Sequence, residues 1–514
     1  MIILIYPPVA KPCEPPAGIA RLSGMLSRHG IQHHLIDANV EGMLHLFGQA
    51  QPFDKAGDAW TRRAFKNRGE NLFAIKHGDL YRHPDRYSRT IKDIGRVLEK
   101  ASRPGTKVGL ADYLQKGLSP VRSSDLLAAS EKPEMNAFYS YFCDRLGKLL
   151  DRKKPSAVGI SLNYLSQAMT VFSMIGFIRR EHPGIKIILG GGLVTSWEKG
   201  LNGKNPFAGL VDHMVAGPGE KKLLSLLGIP SDSDTLPTPD YRSVPWDQYL
   251  SPGSILPYSA STGCYWNKCS FCPEKAEGNP YIPVPPQQVI ADLTVLAEEA
   301  HPKLVHLLDN AISPAVLKAL GKDSPGIPWY GFARIGPHLA EADFCFALKK
   351  SGCIMLKLGI ESGDQHLLDK MDKGTSVEMA STVLRNLRRA GIATYVYLLF
   401  GTPEETERSA RKTLAFTVQH SNAIDFLNLA IFNMPVCGQN TADIKTREFY
   451  EGDLSLYTGF VHPHGWDRKH VRLFLEHEFR RHPAVSPILQ NEPLSFTSNH
   501  APFFIRKRTG DLHR

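Results

Sequence analysis

A chain of 514 residues has material for two or three domains with ample core, and its 42% apolar and 22% charged residues are ordinary for a soluble globular protein. Eight cysteines, few and unevenly placed, exclude the disulfide framework of a small secreted protein. The net charge is +10 and the pI near 9.0, but the basic residues are spread, densest at 61–104 and 468–508. A solvated basic surface is therefore expected rather than a nucleic-acid tract, and no Walker-type phosphate loop is present.

The chain opens on Ile2–Tyr6, an apolar β-branched run followed by Pro7 and Pro8, which predicts a buried strand entering a loop. No basic stretch precedes it and the run is far too short for a signal peptide or a membrane span. A cytoplasmic protein without a span is expected. Residues 17–29 carry helical apolar spacing closed by Gly30, and His34–Asp37 reads as a second strand. The pattern resumes with strands at 156–162, 185–189 and 211–215 and a helix at 166–181. These elements predict a doubly wound α/β domain over 1–227. Between its halves, residues 44–150 are charged and locally helical and read as an insertion, with a helix at 138–150 returning to the sheet. Two strands run into glycine: Gly190-Gly191-Gly192, and Gly217-Pro218-Gly219-Glu220. Glycine at strand ends lets backbone approach a bulky ligand, although it also simply ends strands.

Residues 228–255, rich in Pro, Ser and Asp, predict a linker. From 256 to 435 six strand patterns alternate with helices: 256–261, 304–309, 329–334, 354–362, 394–405 and 425–433. This predicts a partial (β/α)6 barrel with polar residues at its C-terminal rim. Residues 436–514 form a small C-terminal extension. Its histidines fit no recognisable ligand spacing, and 468–482 reads as a charged amphipathic helix.

After the first barrel strand, Cys264, Cys269 and Cys272 fall within nine positions. Such clustered thiolates suit iron–sulfur or zinc centres. A structural zinc site needs four protein ligands, and no second Cys pair or nearby Cys/His pair completes one. Three thiolates on a four-iron cluster leave one iron open to a substrate or cofactor, which favours a reactive cluster.

The loop resembles the cluster loop of the radical S-adenosylmethionine (SAM) superfamily, with Phe271 at the aromatic position before the last cysteine. It departs by one residue, since Tyr265-Trp266-Asn267-Lys268 makes four in a gap that usually has three. Gly359-Ile360-Glu361-Ser362-Gly363, with Met371-Asp372-Lys373-Gly374 after it, resembles the family's ribose motif. Phe400-Gly401-Thr402-Pro403-Glu404-Glu405-Thr406 resembles the motif that meets the adenine. The resemblance implies a [4Fe–4S] cluster on the three cysteines and SAM beside Phe271, Asp309, Arg334, Gly359, Glu361, Ser362, Gly401 and Pro403. The first domain is similar to the cobalamin-binding domain that precedes many radical SAM barrels. There Asp37-Ala38-Asn39-Val40-Glu41-Gly42 stands where cobalt-ligating domains carry Asp-x-His-x-x-Gly, so no imidazole would come from position 39. Ser161, Leu162, Gly190, Gly191, Gly192, Gly217, Gly219 and Glu220 complete the implied cobalamin site. The resemblance spans 1–43 and 150–435.

The expected activity is reductive SAM cleavage giving a 5′-deoxyadenosyl radical, with cobalamin-dependent methyl transfer to an unactivated carbon of a small molecule or peptide. An electron donor such as flavodoxin or ferredoxin is implied. The alternatives are a cobalamin-associated cyclisation or rearrangement without methyl transfer and, more remotely, a nucleic-acid-binding iron–sulfur protein. Cys437, just past the sixth strand, is either a working thiol at the rim or a small packing residue, and packing is favoured.

Overall fold

The computed structural model describes residues 1–50, 58–201, 203–230, 236–437 and 444–505. They form two compact units: Met1–Ser254 with Tyr450–Leu456, and Ile255–Phe449 with the residues from Tyr457 on. No helix among the described residues is long and apolar enough to cross a membrane.

The first unit is built on a five-stranded parallel sheet. Its spatial order is His33–Asp37, Ile2–Tyr6, Ala157–Ser161, Lys186–Gly190, His213–Val215. This is the 2-1-3-4-5 doubly wound order, whose ligand crevice lies at the switch between the first and third strands. Ile2, Leu4, Met25, Leu26, Ile188 and Leu224 pack one face, each such side chain contributing about 1.5–3 kcal/mol on full burial. The insertion is helical at Ala59–Lys66, Arg68–Ile75, Pro84–Ala101 and Ser123–Glu131, and it also holds a hairpin, Thr106–Val108 with Tyr113–Gln115. The last of these helices packs so closely that a Cβ on Gly176 would lie 1.8 Å from the Ser130 carbonyl oxygen. The expected returning helix at 138–150 is interrupted by a π segment, Phe142–Gly147.

The segment read as a linker is not slack where it is described, residues 231–235 lying outside the described residues. Gly24 admits the Thr238 carbonyl, Asp240 N–H donates to the Ala20 carbonyl at 2.9 Å, and the Tyr249 hydroxyl donates to Asp37 at 2.7 Å. Tyr450–Leu456, expected within the C-terminal extension, belongs to this unit instead. There Glu451 pairs with Arg122 at 2.5 Å and Asp453 accepts from Ser123 N–H at 2.8 Å.

The second unit is an open six-stranded parallel barrel, paired in chain order: Ile255–Tyr258, Leu304–Leu307, Trp329–Ala333, Cys353–Glu361, Ala393–Phe400 and Phe426–Ile431. Its C-terminal part adds a small antiparallel sheet, Met434–Pro435, Tyr457–Phe460 and Thr446–Arg447, and the helix Arg468–Phe474. That helix passes into a π segment at Leu475–Phe479, so the 468–482 helix is shorter and less regular than its pattern predicts.

Candidate active site

The cysteine loop is a long excursion from the first barrel strand, closed at its base. Ser261–Thr262 pairs antiparallel with Ile282–Pro283, and Val284 N–H donates to the Ala260 carbonyl at 2.8 Å. Asp309, at the end of the second strand, fixes this base. Its carboxylate accepts from Ala260 N–H at 3.0 Å and from the Ser261 hydroxyl at 2.5 Å. Asp309 is buried there and braces the base of the loop.

Within the loop the three thiols are half-buried and influence one another. Burial pushes Cys269 up to about 11, with Lys373 pulling the other way. Burial also raises Cys272, against which the N–H groups of Glu274 and Lys275 donate to its sulfur. No group of three His, Cys, Asp or Glu side chains among the described residues stands close enough to hold an ion by itself. The thiols thus share a lobe without forming a finished coordination shell. As donors they fit an iron–sulfur cluster: three soft ligands, with backbone N–H groups already turned toward one sulfur.

The extra residue has a visible place. Asn267 adopts φ +44°, a left-handed conformation that asparagine tolerates better than branched residues, and the added length turns there. The turn points Trp266 at the segment after the fourth strand. Its indole N–H donates to the Asp372 carbonyl at 3.0 Å, and Ser270 N–H donates to the Met371 carbonyl at 2.9 Å. Gly374 (φ +62°) must be glycine, because a Cβ would lie 2.1 Å from the indole. Arg334 stacks 3.6 Å over the same ring and donates to the Lys373 and Gly374 carbonyls. The sequence shows Trp266 only as one of four residues in the longer gap; an aromatic beside a left-handed-tolerant asparagine was the available signal.

Glu361 ends the fourth strand at φ +67°, where the ladder slips register. Its carboxylate accepts from Lys373 Nζ at 2.7 Å, both side chains being about nine-tenths buried. A Cβ on Gly359 would lie 2.5 Å from that carboxylate. Lys373 Nζ also lies 5.6 Å from the centre of the Phe271 ring, which links the loop to the pair. The structure therefore brings Phe271, Arg334, Gly359 and Glu361 together with Trp266 and Lys373, which the motif reading did not single out as site residues. Ser362 faces elsewhere. The Thr413 hydroxyl donates to the Ser409 carbonyl, so Ser362 donates to Thr413 at 3.0 Å and accepts from Asp364 N–H.

Gly401 (φ +79°) and Pro403 form the turn after the fifth strand, and Gly401 N–H donates to Glu405. Glu405 is fully buried and also accepts from the Trp466 indole at 3.0 Å; burial pushes its carboxyl up to about 8. Cys437 is half-buried just past the Met434–Pro435 strand.

In the first unit, Asp37 caps the helix Ala38–Gln49 through the N–H groups of Asn39 and Val40. Burial pushes it up to about 7 against those bonds and the Tyr249 hydroxyl. The Asn39 side chain, also buried, accepts from Ala10 N–H at 2.8 Å, so its amide braces the loop after the first strand. Ser161 accepts from Asn163, whose amide oxygen accepts from Gly192 N–H. Leu162 N–H donates to the Gly190 carbonyl at 2.7 Å, and a Cβ on Gly191 would lie 2.4 Å from the Leu162 carbonyl oxygen. Gly217 N–H donates to Thr195; Gly217 faces open space, Gly219 is half-buried and Glu220 is buried. Ser161, Gly191 and Gly192 thus gather at the strand ends, a surface of backbone and small residues that suits a broad flat ligand. Asp37 and Asn39 are committed elsewhere, to the helix start with Tyr249 and to Ala10.

A profile of the radical SAM superfamily matches residues 258–417. An uncharacterized methyltransferase of Pyrococcus horikoshii is 21% identical over 310 residues, covering 53% of this chain and 66% of that protein, so under two thirds of its length is matched. Among solved structures, the radical SAM methyltransferase TsrM of Kitasatospora setae, with tryptophan and a SAM analogue bound, superimposes with a TM-score of 0.54. The identity is 14%, and 95% of this chain and 88% of that one are covered. The cobalamin-dependent SAM radical enzyme OxsB, with aqua-cobalamin and SAM bound, gives 0.53 at 13% identity over 98% and 59% of the two chains. Residues 258–417 thus match the radical SAM superfamily, and the fold is that of these enzymes, a Rossmann-like domain ahead of the barrel.

Proposed function

We propose that this protein cleaves SAM reductively and transfers a methyl group, with cobalamin as carrier, to an unactivated carbon of a small molecule or peptide. The observation that carries the reading is the docking of the three-cysteine loop, through Trp266 and Ser270, onto the turn that also supplies Lys373 to Glu361. When bound, a [4Fe–4S] cluster supplies the electron for carbon–sulfur cleavage and cobalamin a transferable methyl group.

The chain's own part is to hold and orient. Cys264, Cys269 and Cys272 hold the cluster, and the Glu274 and Lys275 N–H groups temper the charge on Cys272. Glu361 accepts from a donor on SAM while Lys373 keeps its carboxylate aimed. Arg334, fixed on Trp266, keeps positive charge beside the thiolates. Gly401 and Pro403 let the nucleoside approach the fifth-strand turn. Ser161, Leu162, the paired glycines and the Gly217–Glu220 turn line the cobalamin crevice. Asn39, whose amide oxygen accepts from Ala10 N–H, would offer a bound cobalt no imidazole. A reductant of the flavodoxin or ferredoxin class and a cytoplasmic location complete the reading, the latter resting on the oxygen-sensitive thiolate set.

Anaerobic reconstitution with iron, sulfide and hydroxocobalamin tests it. The expected result is about four iron atoms and one corrinoid per chain, with 5′-deoxyadenosine formed on reduction. Nitrogen splitting from protein in the Co(II) resonance spectrum would contradict the role given to Asn39. Absence of bound corrinoid would remove the methyl-transfer reading.

A further inference from the structure

In the second unit a small cavity of about 50 Å³ lies beside Gly401. It is walled by Ile431, Phe432, Met434 and Phe460 and bordered by Arg447 and Arg468. Arg447, Arg468 and Asp467 also line an adjoining open cleft of about 420 Å³, together with Lys469, Arg472 and Glu476. The two spaces therefore meet at the arginines.

The inner space holds about two water-sized groups at roughly 30 Å³ each and is far below the roughly 150 Å³ that accepts benzene. It suits a short alkyl end and rejects an aromatic ring. The outer space carries four cationic side chains against two carboxylates. One of those, Asp467, is committed to the Lys469 and His470 N–H groups and the His470 ring. Arg468 is held in place by a hydrogen bond to the Asn433 side chain at 2.7 Å and by the Phe449 ring at 5.3 Å. A fixed guanidinium at an apolar mouth is organised for a carboxylate.

We propose that this paired cavity and cleft is a binding site for an aliphatic carboxylate, its alkyl end between Phe432, Met434 and Phe460 and its carboxylate on Arg447 and Arg468. Gly401 lines the cavity and belongs to the turn assigned above to the nucleoside. Calling the carboxylate the anionic end of the methyl acceptor rests on the reading in the previous subsection; the binding site itself does not.

The probe is 4,4,4-trifluorobutyrate, followed by fluorine NMR line broadening on the full chain with its cluster oxidised, beside 4,4,4-trifluorobutyramide. Saturable binding is expected for the carboxylate, at least tenfold tighter than for the amide. R447E/R472E, two exposed positions, should weaken it about tenfold or more with an unchanged melting temperature. R62E/K66E, the same charge change in the other unit, should leave it as it is. Equal binding of acid and amide, equal binding by R447E/R472E, or no saturable binding overturns the proposal. Displacement by inorganic phosphate at the same concentration overturns it in favour of a simple anion site. Wild-type protein that binds the probe but forms no 5′-deoxyadenosine on reduction fails the SAM reading and leaves this site standing.

Discussion

The crevice at the strand ends of the first unit and the rim of the barrel are finished differently. In the sheet, the loops at 161–167 and 190–195 satisfy one another: Gln167 accepts from two N–H groups, Asn163 bridges Ser161 and Gly192, and Thr195 takes the Gly217 N–H. Buried polar atoms without a hydrogen-bond partner among the described residues of this unit lie along helices, at Asn71, Thr170 and Trp197 for example. In the barrel unit most lie in loops at or beyond strand ends, at Thr262, Arg334, Thr375, Thr402 and Glu405, with His338 on a short helix. A buried polar atom left unmatched costs about 1–3 kcal/mol, so their concentration at one rim marks where polar ligand groups are expected. The sheet is built to present shape; the barrel is built to present donors and acceptors.

The largest test of this contrast is C269A. It should abolish iron loading, whereas C353A, buried at the start of the fourth strand, should not; iron and sulfide analysis after anaerobic reconstitution reads both. Next is G191A in the sheet. The added Cβ collides with the Leu162 carbonyl at a residue of φ +111°, so a loss of about 3 kcal/mol in urea unfolding is expected, with corrinoid binding lost alongside. At G217A, where φ is +71° but nothing lies near, the cost should be only about 1 kcal/mol. If the two glycines behave alike, the crevice is not shaped by its backbone contacts as described.

In the barrel, K373A removes the cation from Glu361 and should weaken SAM binding roughly tenfold to a hundredfold while the fold persists. Equilibrium binding of SAM to the oxidised holoenzyme measures it. The smallest expected effect is on pH. The Glu405 carboxyl is pushed up to about 8 from an ordinary 4.5, so the folded state keeps its proton longer than the unfolded chain. Stability from this group is full below about 4.5 and declines as pH rises through 8, by about 1–3 kcal/mol. E405Q should flatten that decline, seen as a melting temperature a few degrees above wild type at pH 8.5 and level with it near pH 5.

Strand patterns and the cysteine cluster were legible because they are local: β-branched runs ended by glycine, and three thiolates on one loop. What escaped was set by distant partners or by very short elements. The hairpin at 106–115 has three-residue strands, too brief to show alternation. Asp309 and Ser362 stand where a motif places cofactor contacts, but their bonds go to Ser261 and Thr413, 48 and 51 residues away. Composition marked 228–255 as linker. Tyr249 is held to Asp37 across 212 residues, which no local pattern could announce. Arg334 was expected beside SAM, but its stacking on Trp266 depended on where one extra residue would turn.

The insertion between the second and third strands has a consequence for synthesis. The first strand pairs on one side with a near neighbour, but its other edge waits for Ala157–Ser161, and the Met1 carbonyl meets the Ser156 hydroxyl only across 155 residues. At roughly 5–20 residues per second on the ribosome, the Ile2–Ile5 edge stays unpaired for about 8–30 s. An apolar unpaired edge of that kind invites association with other nascent chains. The barrel carries no such delay, since each of its strands joins the one made just before it. Slowed translation within 44–150 should therefore lower the yield of soluble protein more than an equal pause within 304–431.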